Sequence, residues 1–419
     1  MPLDSTPAHA FTAVDTAVEN RMDSLVALRR DIHAHPETAW TEHRTSQLVL
    51  DTLAAAGLAP RMLGATGVVC DIPASPGTPA VAGLPSGHRT VALRADLDAL
   101  PVTEETGLPF ASTRPGVSHA CGHDVHTAVV LGAGLALADL ARDGLLPVDV
   151  RLVFQPAEEV QPGGAEAAIE AGVLDGVEQI YAVHADPKIE VGTIGSRVGS
   201  ITSASDPVRV TLRSQGGHTS RPHMTGDVVY ALGQVIAQAA GVLGRRMDPR
   251  AGVNLTWGAV HAGNATNAIP TSGSLLGTLR VLDVKEWERA GHVLDTAIEQ
   301  IVAPYGVEVE VDHVRGVPPT VNEEVATSYI EAAAAGVVGS ENVTLTEQSL
   351  GGEDFGWYLR RVPGAMVRLG ARTPGAPITD LHRADLVIDE RAIGIGARML
   401  ARTVVVAGSS PAPRPFPAA

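Results

Sequence analysis

Five short segments concentrate the side chains that can bind metal ions or move protons. They are R-A-D-L-D-A-L-P (94–101), H-A-C-G-H-D-V-H (119–126), F-Q-P-A-E-E (154–159), V-H-A-D-P (183–187) and L-H-R (381–383). Thiolate, imidazole and carboxylate groups are the ligands that zinc and its neighbouring transition metals take in proteins. This combination indicates a metal site that could serve hydrolysis.

Cys121 and His123 are separated by a single residue, so both can reach one metal ion from a single turn. An isolated C-x-H pair is more often a small buried cysteine beside a capping histidine. Here His119, Asp124 and His126 lie within the same eight residues, directly before a predicted helix. That density favours a ligand cluster over a structural cysteine.

Glu158 and Glu159 follow a predicted strand and a proline. Adjacent acidic residues usually form a solvated turn, but a hydrolytic metal site needs one carboxylate as a ligand and another to take a proton from the attacking water. His184 ends the next predicted strand, where a lone histidine is more often a satisfied core residue. His382 is uninformative by itself. Together these residues form a ligand set of the right types, dispersed along the chain as active sites of α/β folds are.

The elements around these segments alternate between helix and strand. Apolar spacing predicts helices over 24–33, 45–56 and 125–140, and strands over 91–95, 148–154 and 181–183. This alternation indicates an α/β domain with helices on both faces of a mixed sheet. The stretch 73–89, rich in proline and glycine, is predicted to be a surface loop.

The pattern changes near residue 196. The next elements are predicted in the order βαββαβ, the arrangement of a ferredoxin-like α+β unit, over 208–213, 227–243, 253–259, 272–280, 285–301 and 307–314. Helix–strand alternation then resumes over 323–336, 365–369 and 391–406. We therefore expect one α/β domain over 14–195 and 316–408, interrupted by an inserted domain over 196–315, with a disordered tail over 409–419.

Composition excludes several classes of protein. A length of 419 residues favours two domains, and a net charge of −16, from 31 basic and 47 acidic residues, argues against nucleic acid as a partner. The two cysteines, Cys70 and Cys121, exclude a disulfide framework and favour a reducing cytoplasm. We find no secretory signal and no uninterrupted apolar run long enough to span a bilayer, so no membrane partner is expected.

The chain resembles the zinc-peptidase-like amidohydrolases, a family that includes bacterial aminoacylases, hippurate hydrolases, aminobenzoyl-glutamate hydrolases and plant auxin-conjugate hydrolases. Besides the five segments above, the resemblance includes R-R-D-I-H-A-H-P-E (29–37), G-G-H-T-S-R-P-H (216–223), N-A-I-P (267–270), G-T-L-R (277–280) and G-G-E-D-F (351–355). It covers nearly the whole chain. It implies a metal-dependent enzyme that cleaves the linear amide bond of an N-acyl amino acid or a related small amide.

The resemblance also implies roles for individual residues. One or two divalent ions (zinc, manganese or cobalt) would be bound by Cys121, His123, Glu159, His184 and His382. Glu158 resembles the general base that takes a proton from a metal-activated water and passes it to the leaving amine. Asp96 matches an acidic position that orients a metal-binding histidine in related peptidases, although Arg94 replaces a histidine found there. Cys121 takes the place of a bridging aspartate of the dinuclear peptidases.

For the inserted domain, the resemblance implies dimerisation and a part in the active site. In relatives, the histidine matching His218 reaches into the partner subunit's active site and steadies the oxyanion, while the positions matching Asn267 and Arg280 hold the substrate's carboxylate. An arginine suits a carboxylate and an imidazolium suits developing negative charge. Without the resemblance, Arg280 would be interpreted as an exposed arginine at a strand end. A homodimer is therefore expected.

Two alternatives remain open. A metallo-carboxypeptidase or dipeptidase would share the metal ligands and differ in the pocket for the acyl group. A non-catalytic binding protein could keep the fold, but it would have no need for both Glu158 and Glu159.

Overall fold

The structure, a computed structural model, describes residues 6–78 and 88–411. Most of the predicted surface loop (79–87) and most of the predicted tail (412–419) lie outside the described residues. The last helix extends to Ser409, the residue at which the tail was predicted to begin.

The described residues form ten α-helices and sixteen β-strands. The helices are α1 (Thr6–Glu19), α2 (Met22–Ala34), α3 (His43–Ala55), α4 (His123–Arg142), α5 (Gly164–Glu170), α6 (Val228–Arg246), α7 (Val284–Val302), α8 (Glu324–Val338), α9 (Phe355–Leu359) and α10 (Arg391–Ser409). The strands are β1 (Arg61–Met62), β2 (Val68–Ile72), β3 (Thr90–Asp96), β4 (Asp149–Gln155), β5 (Val177–Glu190), β6 (Ile194–Ser196), β7 (Gly199–Thr202), β8 (Asp206–Arg213), β9 (Gly217–His218), β10 (Asn254–Ala262), β11 (Ala268–Ile269), β12 (Ser272–Arg280), β13 (Glu308–His313), β14 (Thr320–Asn322), β15 (Val343–Leu345) and β16 (Gly364–Arg372).

The chain divides into two compact units. The first comprises the described residues of Met1–Ile201, Val321–Glu347 and Trp357–Ala419, and the second comprises Thr202–Thr320 and Gln348–Gly356. Residues 348–356 thus group with the second unit, although they lie beyond the predicted insertion.

The first unit contains an eight-stranded mixed sheet in the order β1-β2-β4-β3-β5-β16-β6-β15. Its central pairs, β3–β4, β3–β5 and β5–β16, are parallel. In β4, Leu152 packs against Gly134 of α4, whereas the adjacent Arg151 donates to the carbonyls of Val173 and Asp175 after α5. Since successive side chains of a strand point to opposite faces, the sheet is covered on both faces, as predicted.

The second unit contains a four-stranded antiparallel sheet in the order β10-β12-β8-β13. Helices α6 and α7 pack on this sheet and on each other. Taken in chain order, the strands lie as 2-3-1-4, which is the ferredoxin-like arrangement predicted from the βαββαβ pattern. The fold class inferred from the sequence is therefore confirmed.

The sequence was predicted to contain no uninterrupted apolar run long enough to span a bilayer, yet three helices are long and apolar enough on average to cross one. By length and mean hydropathy, α4, α6 and α10 all meet that condition. Their many alanines, glycines and valines raise the hydropathy without forming an unbroken apolar run. Within the apolar windows of α4 and α10, 89% and 67% of residues are buried in the protein, compared with 33% for α6.

Candidate metal centre

The candidate site lies where the central strands of the first unit end. Strand β3 ends at Asp96 and β4 at Gln155, and the loop with Glu158 and Glu159 follows β4 directly. Strand β5 is longer than predicted: it pairs with β3 only as far as Ala182 and continues beside β16. His184 therefore lies inside β5 but two residues beyond its last pair with β3, at the carboxyl edge where α/β sheets bind ligands.

A glycine brings the Cys121–His123 segment into this edge. Gly122 has a left-handed backbone with φ 86°, and a Cβ there would approach Ile388 Cδ1 to 2.7 Å. Both the conformation and the close packing require glycine. His123 then starts α4, and Cys121 precedes it with 5% exposure.

Two groups of possible ligands meet at Cys121. Its thiol lies with one nitrogen each of His123 and His184 in a set whose atoms are all within 4.8 Å of one another. A second set of the same size joins Cys121 to Glu159 and His382. The five predicted ligands are thus brought together, and one sulfur belongs to both sets.

The unpaired polar atoms fit a cation. His123 Nε2 and Glu159 Oε1 are buried without a hydrogen-bond partner, and they lie 3.8 Å apart. His382 Nε2 is 3.3 Å from the same Glu159 oxygen, and Cys121 Sγ is 3.7 Å from His184 Nε2. Buried polar atoms are normally paired, so an unpaired imidazole nitrogen and an unpaired carboxylate oxygen beside a thiol and two further imidazoles fit a divalent-metal site. Burial and the nearby Glu159 raise the pKa of the Cys121 thiol well above its ordinary value.

The opposite nitrogens of the two buried histidines are fixed by backbone carbonyls. His123 Nδ1 donates to Asp98 O and His184 Nδ1 donates to Ala185 O, both at 2.8 Å. Each ring therefore presents Nε2 to the cluster, which is the usual arrangement for a metal-binding histidine. His382 differs: its side chain is 54% exposed, and its left-handed backbone (φ 62°) is held by a hydrogen bond from its N–H to Ala120 O.

Asp96 is fully buried behind the cluster. Its Oδ1 accepts from His126 Nδ1 at 2.6 Å, and its Oδ2 accepts from Arg94 at 2.5 Å. Burial alone would raise the pKa of Asp96, but the surrounding His123, His126 and Arg94 hold it well below its usual range. Asp96 thus orients His126, which is not a predicted ligand, and lies 3.8 Å from His123 Nδ1. Its predicted catalytic role remains a prediction.

Asp98 also contacts the candidate site, although the sequence did not predict it as a site residue. It is 1% exposed, and its two carboxylate oxygens accept from the backbone N–H groups of Glu158 and Glu159 at 3.0 and 2.9 Å. Because its carbonyl also holds His123, Asp98 links three residues of the site. The sequence feature that could have indicated Asp98 is its position as the second aspartate of R-A-D-L-D-A-L-P, a segment already predicted to contribute to the site.

A buried charge network lies next to Asp124, the residue after His123. Asp124 Oδ2 accepts from Arg29 Nε at 2.6 Å and from His33 Nδ1 at 2.8 Å, and His33 Nε2 lies 3.2 Å from Glu104. Burial would lower the pKa of His33, but the two carboxylates raise it to about 9. His119 is also buried and its ring nitrogens have no hydrogen-bond partner, so burial lowers its pKa to about 4.

The predicted residues of the second unit are less enclosed. His218 and Asn267 are exposed neighbours, because β9 pairs with β11 and aligns His218 with Ala268. The His218 Nδ1 accepts from the Ser220 N–H at 3.1 Å. Arg280 is half-buried at the far end of β12, where it donates to the carbonyl of Leu350.

Comparison with known proteins agrees with this geometry. Residues 92–405 match the model of peptidase family M20/M25/M40. An N-acetyl-L-cysteine deacetylase of Bacillus subtilis is 35% identical over 88% of this chain and 84% of its own length. Thermostable carboxypeptidase 1 of Saccharolobus solfataricus is 35% identical over 90% of this chain and 93% of its own length.

A further relative from Rhodococcus jostii strain RHA1 is 48% identical over 90% of this chain, and its name assigns it to the glutamate–cysteine ligases. The chain spans about half of that protein, 46% of its length.

The crystal structure of a dinuclear metal-binding M20 peptidase from Bacillus subtilis is also similar. It superposes with a TM-score of 0.78 at 30% identity, over 93% of this chain and 98% of that one. Fold, ligand types and sequence therefore lead to one conclusion: this chain belongs to peptidase family M20/M25/M40 and is a metal-dependent hydrolase of amide bonds.

Proposed function

We propose that the protein hydrolyses the amide bond of N-acyl amino acids, with Glu158 as general base and a divalent-metal centre formed by Cys121, His123, Glu159, His184 and His382. The observation that carries this proposal is the pair of ligand sets that share Cys121, beside a second carboxylate on the same turn as Glu159. A cation held there would acidify a water molecule and polarise the acyl carbonyl.

The carboxylate of Glu158 would perform the proton transfers. It lies within 4.8 Å of ligand atoms of His123 and Glu159, close enough to reach a water at the cluster. Glu158 takes the proton of the attacking water and gives it to the leaving nitrogen, so one side chain serves as base and then as acid. Adjacent Glu159 is assigned to the metal because its Oε1 lies between two candidate histidine ligands.

One or two ions of zinc, manganese or cobalt per subunit would be held by these two ligand sets. Each set would offer an ion the soft Cys121 thiolate and two further ligands, a combination that suits these metals. Both cysteines of the chain are free. We assign the protein to the cytoplasm, because reducing conditions would keep Cys121 available as a ligand.

The substrate is proposed to be a small N-acyl amino acid, and an N-acylated cysteine is the first to test. The deacetylase relative is named for that substrate, and the Rhodococcus protein is named for a reaction that also involves cysteine. The carboxypeptidase relative supports the alternative, in which the amide joins two amino acids.

A homodimer with shared active sites is part of the proposal. Within one chain, His218 and Asn267 lie near the Ser272 end of β12 and Arg280 lies at its other end. Nine residues of strand span roughly 25 Å, so these groups of one chain cannot all hold a single small substrate. A two-fold partner would let His218 and Asn267 of one subunit act beside Arg280 of the other. A charged, bidentate Arg280 would then hold the substrate's carboxylate.

A substrate panel tests the assignment. Protein loaded in turn with zinc, manganese or cobalt is assayed on acetyl, benzoyl and indole-acetyl amino acids, including N-acetylcysteine, and on dipeptides. Faster turnover of acyl amino acids supports the proposal. Faster turnover of dipeptides would favour the peptidase alternative, and inactivity of fully loaded protein on every amide would contradict both.

A further inference from the structure

The turn that carries the two adjacent glutamates is held by an unusual set of hydrogen bonds. Three consecutive backbone N–H groups, of Ala157, Glu158 and Glu159, donate to two buried carboxylates at 2.8, 3.0 and 2.9 Å. Asp98 accepts the second and third, and Glu42 accepts the first. The backbone of the whole turn is therefore fixed by acidic side chains from two other segments of the first unit.

Ala157 shows why the turn needs to be held. Its backbone is left-handed with φ 54°, which an alanine rarely adopts, and the residue is fully buried. Such a conformation persists only when the surroundings over-determine it. The N–H of Ala157 points to Glu42 Oε1, and its carbonyl accepts from the N–H of Gly164.

Burying the carboxylate of Glu42 costs free energy, which indicates that the carboxylate is needed at this position. Glu42 is 0% exposed, and burial raises its pKa, with the nearby Asp98 adding to the effect. It precedes α3, but its side chain accepts no capping hydrogen bond from the N–H groups of that helix. The helix start is served instead by Glu37, whose oxygens accept from the N–H groups of Arg44 and Thr45. The Glu42 carboxylate is thus directed to the turn rather than to its own helix.

We infer that Glu42 is a positioning residue: its carboxylate holds the Ala157 N–H and thereby sets where Glu158 stands relative to the metal ligands. The inference rests on the proposed roles of Glu158 and Glu159. Asp98 accepts hydrogen bonds from the backbone N–H groups of Glu158 and Glu159, and Glu42 accepts one from the N–H of Ala157 before them. Without Glu42, the turn can relax at Ala157 and the Glu158 carboxylate moves away from the water it deprotonates.

Four variants test this role. Glu42→Gln keeps an acceptor oxygen and the size of the side chain, whereas Glu42→Met keeps the size and removes the acceptor. Glu37→Met is the matched control, since it removes acceptors from the same helix start without touching the turn. Glu158→Gln serves as the reference for loss of the base. For each variant, kcat, KM, bound metal by elemental analysis and thermal stability are measured.

We expect kcat of Glu42→Met to fall roughly 10- to 100-fold, as for other residues that position catalytic groups, with KM and bound metal within about twofold of wild type. Glu42→Gln should keep kcat within a few-fold of wild type. Glu37→Met should lose stability but not kcat. This split separates positioning from general destabilisation, because a purely structural role would lower stability without the selective loss of kcat.

Wild-type kcat in a folded Glu42→Met protein would overturn the inference, as would a loss of metal that parallels the loss of kcat. If Glu42→Met does not fold, Glu42→Asp decides, because it keeps a carboxylate on a side chain too short to reach Ala157. A several-fold lower kcat supports the inference, and an unchanged kcat overturns it. If Glu158→Gln itself keeps full activity, the proposed function fails instead.

Discussion

The predicted metal ligands of the first unit and the predicted substrate residues of the second unit differ in how firmly each is held. His123 and His184 are buried, and the nitrogen that each ring does not offer to the cluster is bonded to a carbonyl. His218 and Asn267, in contrast, are exposed on a two-stranded turn. Rigid, convergent donors are what an ion requires, whereas exposed groups are suited to meeting a substrate or a second subunit.

Removing the metal should have the largest effect. Chelation should abolish turnover, and zinc, manganese or cobalt should restore it, because the reaction needs a cation to activate water and the buried His123 Nε2 and Glu159 Oε1 have no hydrogen-bond partner in its place. Turnover is followed on the best substrate while metal content is measured by elemental analysis. Cys121→Ser should weaken metal binding or change the preferred ion, since it replaces the softest ligand. Full activity in protein verified to be free of metal would contradict the assignment.

Glu158 and Glu159, the adjacent glutamates on the turn after β4, should respond differently to the same substitution. Glu158→Gln keeps the shape and removes the base, so kcat should fall by roughly two to four orders of magnitude with little change in bound metal. Glu159→Gln should lower bound metal, because it replaces a charged ligand with a neutral one. Steady-state kinetics and elemental analysis of both variants provide the measurement. If the two variants behaved the other way round, base and ligand would be exchanged.

The second unit can be tested by mixing inactive subunits. His218→Ala and Glu158→Gln proteins are allowed to exchange subunits. If His218 acts in the partner's site, each heterodimer has one intact site, and about a quarter of all sites should recover activity after complete exchange. If His218 serves its own chain, every site keeps a defect. If no activity returned although subunit exchange had been demonstrated, shared active sites would be ruled out. The proposed reason for the exposure of His218 would then be lost.

Much of the fold could be predicted because its periodicities are local. The βαββαβ order of the second unit follows from apolar spacing, and all six of its elements lie within a few residues of their predicted bounds, as in β12 (Ser272–Arg280). The candidate metal ligands could be predicted because cysteine, histidine and paired glutamates are rare enough in combination to be recognised, although the roles assigned to them came from resemblance.

What could not be predicted depends on contacts distant in sequence. Asp98 binds the Glu158 and Glu159 backbone some 60 residues away, and no local pattern identifies an acceptor of backbone N–H groups. The two-residue strands β9 and β11 are too short to show alternation. The Arg29–Asp124 pair joins residues 95 apart in sequence. The identity of a charged residue in the sequence does not show whether its side chain is solvated or buried.

His33, in the same network, allows the buried region to be tested without an assay of activity. Burial and the nearby Arg29 both lower the pKa of His33, but Asp124 and Glu104 outweigh them and raise it from an ordinary value near 6.5 to about 9. A raised pKa in the folded state stabilises the fold fully below pH 6.5, and this stabilisation is lost as the pH rises through 9. Between pH 6 and 10 we therefore expect His33 to account for a loss of roughly 2 to 3 kcal/mol in the free energy of unfolding. Chemical denaturation across this range measures the free energy of unfolding at each pH.

His33→Gln should remove this dependence of stability on pH. His35 is an exposed histidine at the end of the same helix, so His35→Gln should keep the dependence. Equal slopes in the wild type and His33→Gln would mean that His33 is not held as a buried cation. His33 would then no longer support the contrast between the tightly paired first unit and the exposed residues of the second unit.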